Sequence, residues 1–118
     1  MEELADPLVI AALKAVEYLK PRFWIMENPR ARLRKRAFME PYNHLRTTVF
    51  YCAWGKDYKK ETDLWICRND ERAEFAANRP CTHRVHAEHA QRCGKRTRHT
   101  AQELGTIPED LVRALLAL

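Results

Sequence analysis

A glutamate directly after an apolar segment is the first candidate for chemistry in this sequence. Phe23–Met26 is apolar at four consecutive positions, and Glu27 follows it immediately. A positioned carboxylate can act as a general acid or base. In open α/β sheets, ligands bind at the carboxyl ends of the strands, so we expect Glu27 to lie in a ligand site. The alternative is an exposed carboxylate at a strand end that pairs with Arg30 or Arg32.

Two clusters of basic residues are candidates for binding a polyanion. Acidic residues are nearly absent from both clusters, and such charge blocks favour a nucleic acid as the partner. The alternative is a solvated charged face without a partner. The first cluster consists of Arg30, Arg32, Arg34, Lys35 and Arg36, and the second consists of Arg92, Lys95, Arg96, Arg98 and His99.

A tract rich in cysteine and histidine is a candidate zinc site. Zinc takes four such ligands, although the spacing here matches no standard zinc finger. The alternative is a set of surface histidines in a basic loop. The candidate ligands are Cys81, His83, His86, His89 and Cys93. The other two cysteines, Cys52 and Cys67, lie in apolar surroundings, and we expect them to be reduced core residues.

Length and composition predict one globular domain over residues 1–118, because 118 residues suffice for a single core. The net charge is +5 at pH 7. The apolar runs are too short to cross a bilayer, so we expect no membrane partner. The acidic N-terminus does not resemble a signal peptide, and we expect a cytoplasmic protein, in the host cytoplasm if the source is viral.

Apolar periodicity and breaker residues predict the elements that position these side chains. We expect a helix over residues 7–19, begun by Asp6-Pro7, and then a strand at Phe23–Met26 in a covered, parallel sheet. Residues 30–36 are predicted to form a short helix or an ordered loop.

The rest of the chain is predicted to form a hairpin, a long irregular loop and a helix. Strands are expected at 47–54 and 63–67, with a hairpin-like reversal that begins at Gly55. Residues 68–104 form a long basic loop, rich in Cys and His, and a final helix spans 109–117 with Thr106 as its cap. The domain thus divides into residues 7–67, 68–104 and 105–118.

Three segments resemble parts of known enzymes. The segment LVIAALKAVEYLKPRFWIMENP resembles the helix and strand that lead to the Glu-Asn-Val motif of cytosine-5 DNA methyltransferases, of which phage-type relatives carry Glu-Asn-Pro. The segment TTVFYCAWGKDYKKETDLWIC resembles a Tyr-Cys-x-Tyr-Gly stretch followed by Lys-x-Thr-Asp-x-Trp in the same relatives. GTIPEDLVRALL resembles their C-terminal helix. The order and spacing of the first two segments also agree.

The resemblance implies catalytic roles for three residues. Glu27 matches the glutamate that hydrogen-bonds the flipped cytosine, and Asn28 matches its neighbour. Lys60 falls where the family has an arginine that contacts the carbonyl oxygen of the base, and Thr62 falls where a second arginine would be. Lysine keeps the charge but lacks the planar fork of arginine.

The motifs that the family uses for its cofactor and its nucleophile have no counterpart here. The family binds S-adenosylmethionine at a Phe-x-Gly-x-Gly loop, whereas this chain has three glycines, none in that setting. The nucleophile of the family lies in a Pro-Cys loop that precedes the strand leading to the glutamate. Pro80-Cys81 follows that strand, so we do not interpret Cys81 as the nucleophile. The chain resembles the C-terminal half of a methyltransferase, with a partial Rossmann-like fold.

These observations together predict a DNA-binding, methyltransferase-like protein that presents Glu27 and Lys60 to a cytosine. S-adenosylmethionine would be bound only with a partner chain that resembles the N-terminal half of the enzyme. An uncovered sheet edge and apolar face predict a homo-oligomer or a hetero-oligomer. The alternatives are a non-catalytic nucleic-acid-binding protein and a zinc-stabilised interaction module.

Overall fold

The protein is a mixed α/β structure with a small antiparallel sheet. The computed structural model describes the backbone of residues 2–75 and 105–118, and the side chains from residue 6 onward within those ranges. The regular elements are the helix α1 (Glu2–Leu19), the strands β1 (Phe23–Pro29), β2 (Arg46–Phe50), β3 (Glu61–Arg68) and β4 (Glu71–Arg72), and a C-terminal helix (Glu109–Leu116). Three 3₁₀ helices span Leu33–Lys35, Ala37–Leu45 and Tyr51–Trp54. No helix in these ranges is long and apolar enough to cross a membrane.

The strand β3 is the centre of the sheet. It pairs antiparallel with β1 on one side and with β2 on the other, and β4 also pairs with it. In the register, Glu27 lies opposite Leu64, and Val49 lies opposite Thr62. Six consecutive residues of β3, from Thr62 to Cys67, are buried. The strand DLWIC predicted from the sequence is therefore present, and it is the covered strand of the sheet.

Helices cover both faces of β3. On one face, Leu64 and Ile66 pack in a cluster with Leu111 and Leu115 of the C-terminal helix. On the other face, Trp65 packs with Leu13 of α1 and with residues of the second 3₁₀ helix. Because alternate residues of a strand point to opposite faces, each of these clusters takes every second residue of β3. We call the first side the C-terminal-helix face and the second the α1 face.

The prediction of a parallel sheet was wrong for β1. Its apolar residues on both faces are typical of a parallel strand between helix layers, but β1 pairs antiparallel with β3. The strand also extends beyond Met26 to Pro29, and the backbone N–H of Arg30 donates to Glu61 O at 2.9 Å. Proline is tolerated at this position because it needs no ladder hydrogen bond at the end of a strand.

The start of α1 also differs from the prediction. The helix begins at Glu2, and Pro7 lies inside it. A proline inside a helix removes one backbone hydrogen bond, and its ring crowds the carbonyl group four residues earlier. Asp6 does not act as the predicted cap, because its carboxylate accepts a hydrogen bond from the Arg36 guanidinium.

The predicted strand at 47–54 is divided into a strand and a 3₁₀ helix. β2 ends at Phe50, and Tyr51–Trp54 forms the third 3₁₀ helix. Residues i and i+3 of a 3₁₀ helix share a face, and this places both Tyr51 and Trp54 in the core. Gly55 ends the helix with φ +100°. The reversal that begins there joins β2 to β3, as predicted.

The C-terminal helix lies close to where the sequence predicts it, at Glu109–Leu116. Pro108, not Thr106, occupies the N-cap position, and no side-chain cap hydrogen bond is present. A proline just before the first turn suits the helix start, because that position needs no intrahelical N–H bond. Residues 30–36 contain a short 3₁₀ helix, which is one of the two forms predicted for this segment.

Candidate functional site

Glu27 lies within β1 and not at a free carboxyl end of a parallel strand. It is paired with Leu64, and so its side chain belongs to the C-terminal-helix face. It is partly buried. The premise from which the sequence predicted a ligand site was therefore wrong, although the glutamate is still enclosed by neighbouring elements.

Lys60 lies on the same face as Glu27. The Nζ atom of Lys60 is 5.2 Å from the centroid of the Tyr51 ring. Burial raises the pKa of Glu27, and the charge of Lys60 acts on the same carboxylate and opposes that rise. A carboxylate, an ammonium and an aromatic ring thus converge in one region of the face.

The backbone at Lys60 has an uncommon conformation. Its φ is +29°, in the left-handed region that a residue with a β-carbon rarely adopts. The Thr62 hydroxyl donates to Lys60 O at 3.1 Å, and the Tyr51 N–H donates to Lys59 O at 2.9 Å. Such strained positions occur often at binding and catalytic sites.

Burial determines the proton affinity of this group of side chains. It raises the pKa of Glu27, and the nearby Lys60 ammonium opposes the rise. It also raises the pKa of Tyr51 to about 12, with a further contribution from the Glu27 charge and an opposing one from the Thr62 hydroxyl. Glu27 consequently holds a proton more readily than an exposed glutamate does.

The Tyr51 hydroxyl is buried and makes no hydrogen bond of full geometry within the part of the chain that the structure describes. A buried hydroxyl without a full partner is uncommon and costs free energy. A polar ligand group that reached the hydroxyl would remove this cost.

Asn28 does not join this group. It lies opposite Asp63 in the register, on the α1 face, and its Nδ2 donates to Pro29 O at 3.0 Å. Asn28 instead lines a cavity of about 130 Å³ that also contacts Arg32 and Arg36. The one-residue offset between Glu27 and Asn28 separates them, because consecutive strand residues point to opposite faces.

The first basic cluster is partly neutralised by contacts within the chain. Arg30 forms an ion pair with Glu61, and Arg36 forms one with Asp6. The alternative expected Glu27 to pair with Arg30 or Arg32, whereas the structure pairs Arg30 with Glu61. Arg32 and Lys35 are exposed to solvent.

Arg34 belongs to the interior of the protein. Its Nε donates to Asp63 Oδ2 at 2.8 Å, and its Nη2 donates to Thr48 Oγ1 at 2.9 Å and to Asp63 Oδ1. The Thr48 hydroxyl donates to Asp63 Oδ1 at 2.8 Å. The hydrogen bond to Asp63 raises the pKa of Arg34 above its ordinary value. We call Arg34, Thr48 and Asp63 the buried polar network.

The buried polar network was not predicted, although the sequence contains a signal for it. Asp63 is the only charged residue among the six buried residues of β3, and its side chain is 1% exposed. A buried carboxylate needs a cationic or hydrogen-bonding partner. The identity of that partner could not be read from the sequence, because Arg34 is 29 residues away.

A cavity of about 430 Å³ lies on the α1 face, away from Glu27. Its lining includes Trp24 and Tyr42, whose rings meet edge to face with centroids 6.2 Å apart. The Tyr42 hydroxyl donates to the Glu17 carboxylate, and this contact raises the pKa of Tyr42 to about 12. The sequence patterns predicted no site at Trp24, Tyr42 or Glu17.

Both free cysteines that the structure describes agree with the prediction of reduced thiols. Cys67 is buried, and Cys52 is partly buried. Burial raises the pKa of the Cys67 thiol, so the thiolate is disfavoured there.

The second basic cluster and the predicted zinc ligands, Cys81 to Cys93, lie outside the described residues. Within residues 6–75 and 105–118, no group of three His, Cys, Asp or Glu side chains is arranged to hold a metal ion. The glycines that the structure describes do not fit the cofactor loop of the methyltransferases. Gly55 ends a 3₁₀ helix, and Gly105 lies shortly before the C-terminal helix.

Comparison of the chain with protein-family models, with curated proteins and with solved structures gave no match.

Proposed function

We propose that this protein binds DNA and presents Glu27 and Lys60 to a cytosine. The observation that carries the proposal is the convergence of these two side chains beside Tyr51 on one face of the sheet. A cytosine offers a ring nitrogen, an amino group and a carbonyl oxygen along one edge. A glutamate with a raised pKa suits the first two groups, and an ammonium suits the third.

The strand directions are compatible with a partial Rossmann-like fold. β1 and β2 are both antiparallel to β3, and they therefore run parallel to each other on its two sides. Doubly wound sheets often carry one antiparallel strand. The other edge of β1 has no strand partner among the described residues, and further parallel strands could be added there.

Methyl transfer would require a partner chain. The described residues do not fit a cofactor loop, and the resemblance supplies no nucleophile. We propose that S-adenosylmethionine and the attacking cysteine belong to a subunit that resembles the N-terminal half of the enzyme. Without that subunit, the chain would bind DNA and hold the target base.

The DNA contacts of the first basic cluster would come from its exposed members. Lys35 and Arg32 are accessible to phosphates, whereas Arg34 is engaged in the buried polar network. Phosphate contacts give affinity without sequence specificity. The specific contact would be that of Glu27 with the extruded base.

A DNA-binding experiment with a fluorescent cytosine analogue tests the proposal. The analogue is placed in a duplex, and its fluorescence rises when the base leaves the stack. We expect the full chain to raise the signal, and we expect Glu27→Gln to reduce the rise without changing salt-dependent affinity. Glu61→Gln is the matched control, because the Glu61 carboxylate forms an ion pair with Arg30.

The possible results separate the proposal from the non-catalytic alternative. Salt-dependent binding without any fluorescence change would favour a protein that binds nucleic acid non-specifically. An equal loss in Glu27→Gln and Glu61→Gln would refute a special role for Glu27. If a partner chain confers methyl transfer, Glu27→Gln should lower that rate on the order of a hundredfold.

A further inference from the structure

The side of α1 that faces away from the sheet is apolar. Six residues form this outward stripe: Leu8, Ala11, Ala12, Ala15, Tyr18 and Leu19. All six are exposed, and the three large side chains expose 74% (Leu8), 87% (Tyr18) and 71% (Leu19) of their surface. The opposite side of the helix, which includes Leu13, packs on the α1 face of the sheet. A helix on a protein surface normally carries charged residues on its outward side.

The charged residues of α1 between positions 6 and 19 avoid the outward stripe. Asp6 contacts Arg36 and Glu17 contacts Tyr42, so both carboxylates are directed toward the body of the protein. At 100° per residue, Lys14 lies at the border of the stripe. A strip through the centre of the exposed side is therefore free of charge over three helical turns.

The area of the outward stripe suits a small protein interface. Three large exposed side chains and three alanines present roughly 500 Å² of apolar surface, the size of a functional patch on a typical monomer. Two such stripes in contact would bury roughly 1,000 Å², near the lower limit for a specific interface. The central alanines would let two helices approach closely.

We infer that the outward stripe binds the same stripe of a second copy, with the two α1 helices antiparallel. The charge distribution along the helix supports this occupant. Residues 2–5 carry two acidic and no basic residues, a net −2, and the charge of Asp6 is neutralised by Arg36, whereas residues 11–22 carry Lys14, Lys20 and Arg22 against Glu17, a net +2. In the antiparallel arrangement, oppositely charged ends of the two helices lie beside each other. The two helix dipoles then point in opposite directions, which is also favourable.

This inference is independent of the proposed DNA-binding function. A two-fold axis through the outward stripe leaves Glu27 and Lys60 on the other face of the sheet. The dimer would thus carry two base sites, and neither would be blocked by the interface.

Sedimentation equilibrium of the full chain tests the inference. We expect a mass of about 28 kDa, twice 13.9 kDa. Ala15→Glu places two like charges in the dimer interface and should raise the dissociation constant at least about a hundredfold. Leu116→Glu is the matched control, because Leu116 is 79% exposed on the C-terminal helix. It should leave the mass unchanged.

A charge-exchange experiment tests the identity of the occupant. The variants Glu2→Lys/Glu3→Lys and Lys20→Glu/Arg22→Glu should each dimerise weakly alone and should form a mixed dimer when combined. The dimer of the unmodified chain should weaken as salt rises, because antiparallel copies attract through their charges. A monomer at high concentration, a dimer unaffected by Ala15→Glu, or a dimer strengthened by salt would each overturn the inference.

Discussion

Removal of Arg34 tests the buried polar network and the division of the basic cluster. Arg34→Met keeps most of the apolar stem but removes the guanidinium, so that Asp63 loses its cationic partner. The side chains of Arg34 and Asp63 are 17% and 1% exposed. Breaking a buried pair by deleting one partner costs about 3 to 5 kcal/mol, and the partial exposure of Arg34 favours the lower end.

A loss of this size is large for a small domain, whose total stability is about 5 to 15 kcal/mol. Urea denaturation followed by tryptophan fluorescence measures it. With m of about 1.5 kcal/mol/M, a loss of 3 to 4 kcal/mol lowers the unfolding midpoint by about 2 to 3 M. The m value should stay constant, because the surface exposed on unfolding changes little.

Two further variants make the reasoning specific. Arg34→Met combined with Asp63→Leu removes both charges and should recover most of the lost stability, because no unpaired carboxylate remains. Arg30→Met is the matched control. Arg30 pairs with Glu61 but is 51% exposed, and its loss should cost at most about 1 kcal/mol.

The explanation would be refuted if Arg34→Met and Arg30→Met cost the same small amount. The folded protein would then tolerate the Asp63 carboxylate without a cationic partner, and the Arg34 guanidinium would be available to phosphates. Failure of the double variant to recover stability would show that the Thr48 hydrogen bonds carry the network.

Three other predictions follow from the described residues. Burial raises the pKa of Glu27, so its ionised form is disfavoured in the folded state. Glu27→Gln should therefore raise the thermal unfolding midpoint at pH 7. This gain should vanish as the pH falls below the ordinary glutamate pKa of 4.5, because the carboxyl group is then protonated in both states. Replacing Arg32 and Lys35 by alanine should lower the slope of log affinity for DNA against log salt by up to about two phosphate contacts, as measured by fluorescence anisotropy. Gly55→Ala should cost about 1 to 2 kcal/mol in urea denaturation because φ is +100°, whereas Gly105→Ala should change stability by less than about 0.5 kcal/mol.

The sequence by itself determined the elements whose signals are local. The apolar run at β1, the β-branched and aromatic run at β2, and the periodicity of the C-terminal helix each predicted an element that the structure contains. Local signals also placed a reversal at Gly55 and a short helix or ordered loop at residues 30–36, where the structure has a 3₁₀ helix. These features depend on neighbours within a few positions, and single-sequence patterns report such neighbours directly.

Only the tertiary structure decided the strand pairing and the partners of the charges. The apolar pattern of β1 favoured a parallel neighbour, but its antiparallel pairing depends on β3, a strand nearly 40 residues away. The pairing placed Glu27 and Asn28 on opposite faces, and it also brought Lys60 toward Glu27. In the same way, Arg34 looked like any other residue of a basic cluster until folding brought it to Asp63. A sequence gives the charge of a side chain, but the burial and the partner of that side chain depend on distant segments. Burial and partner together decide whether the charge binds a ligand or stabilises the core.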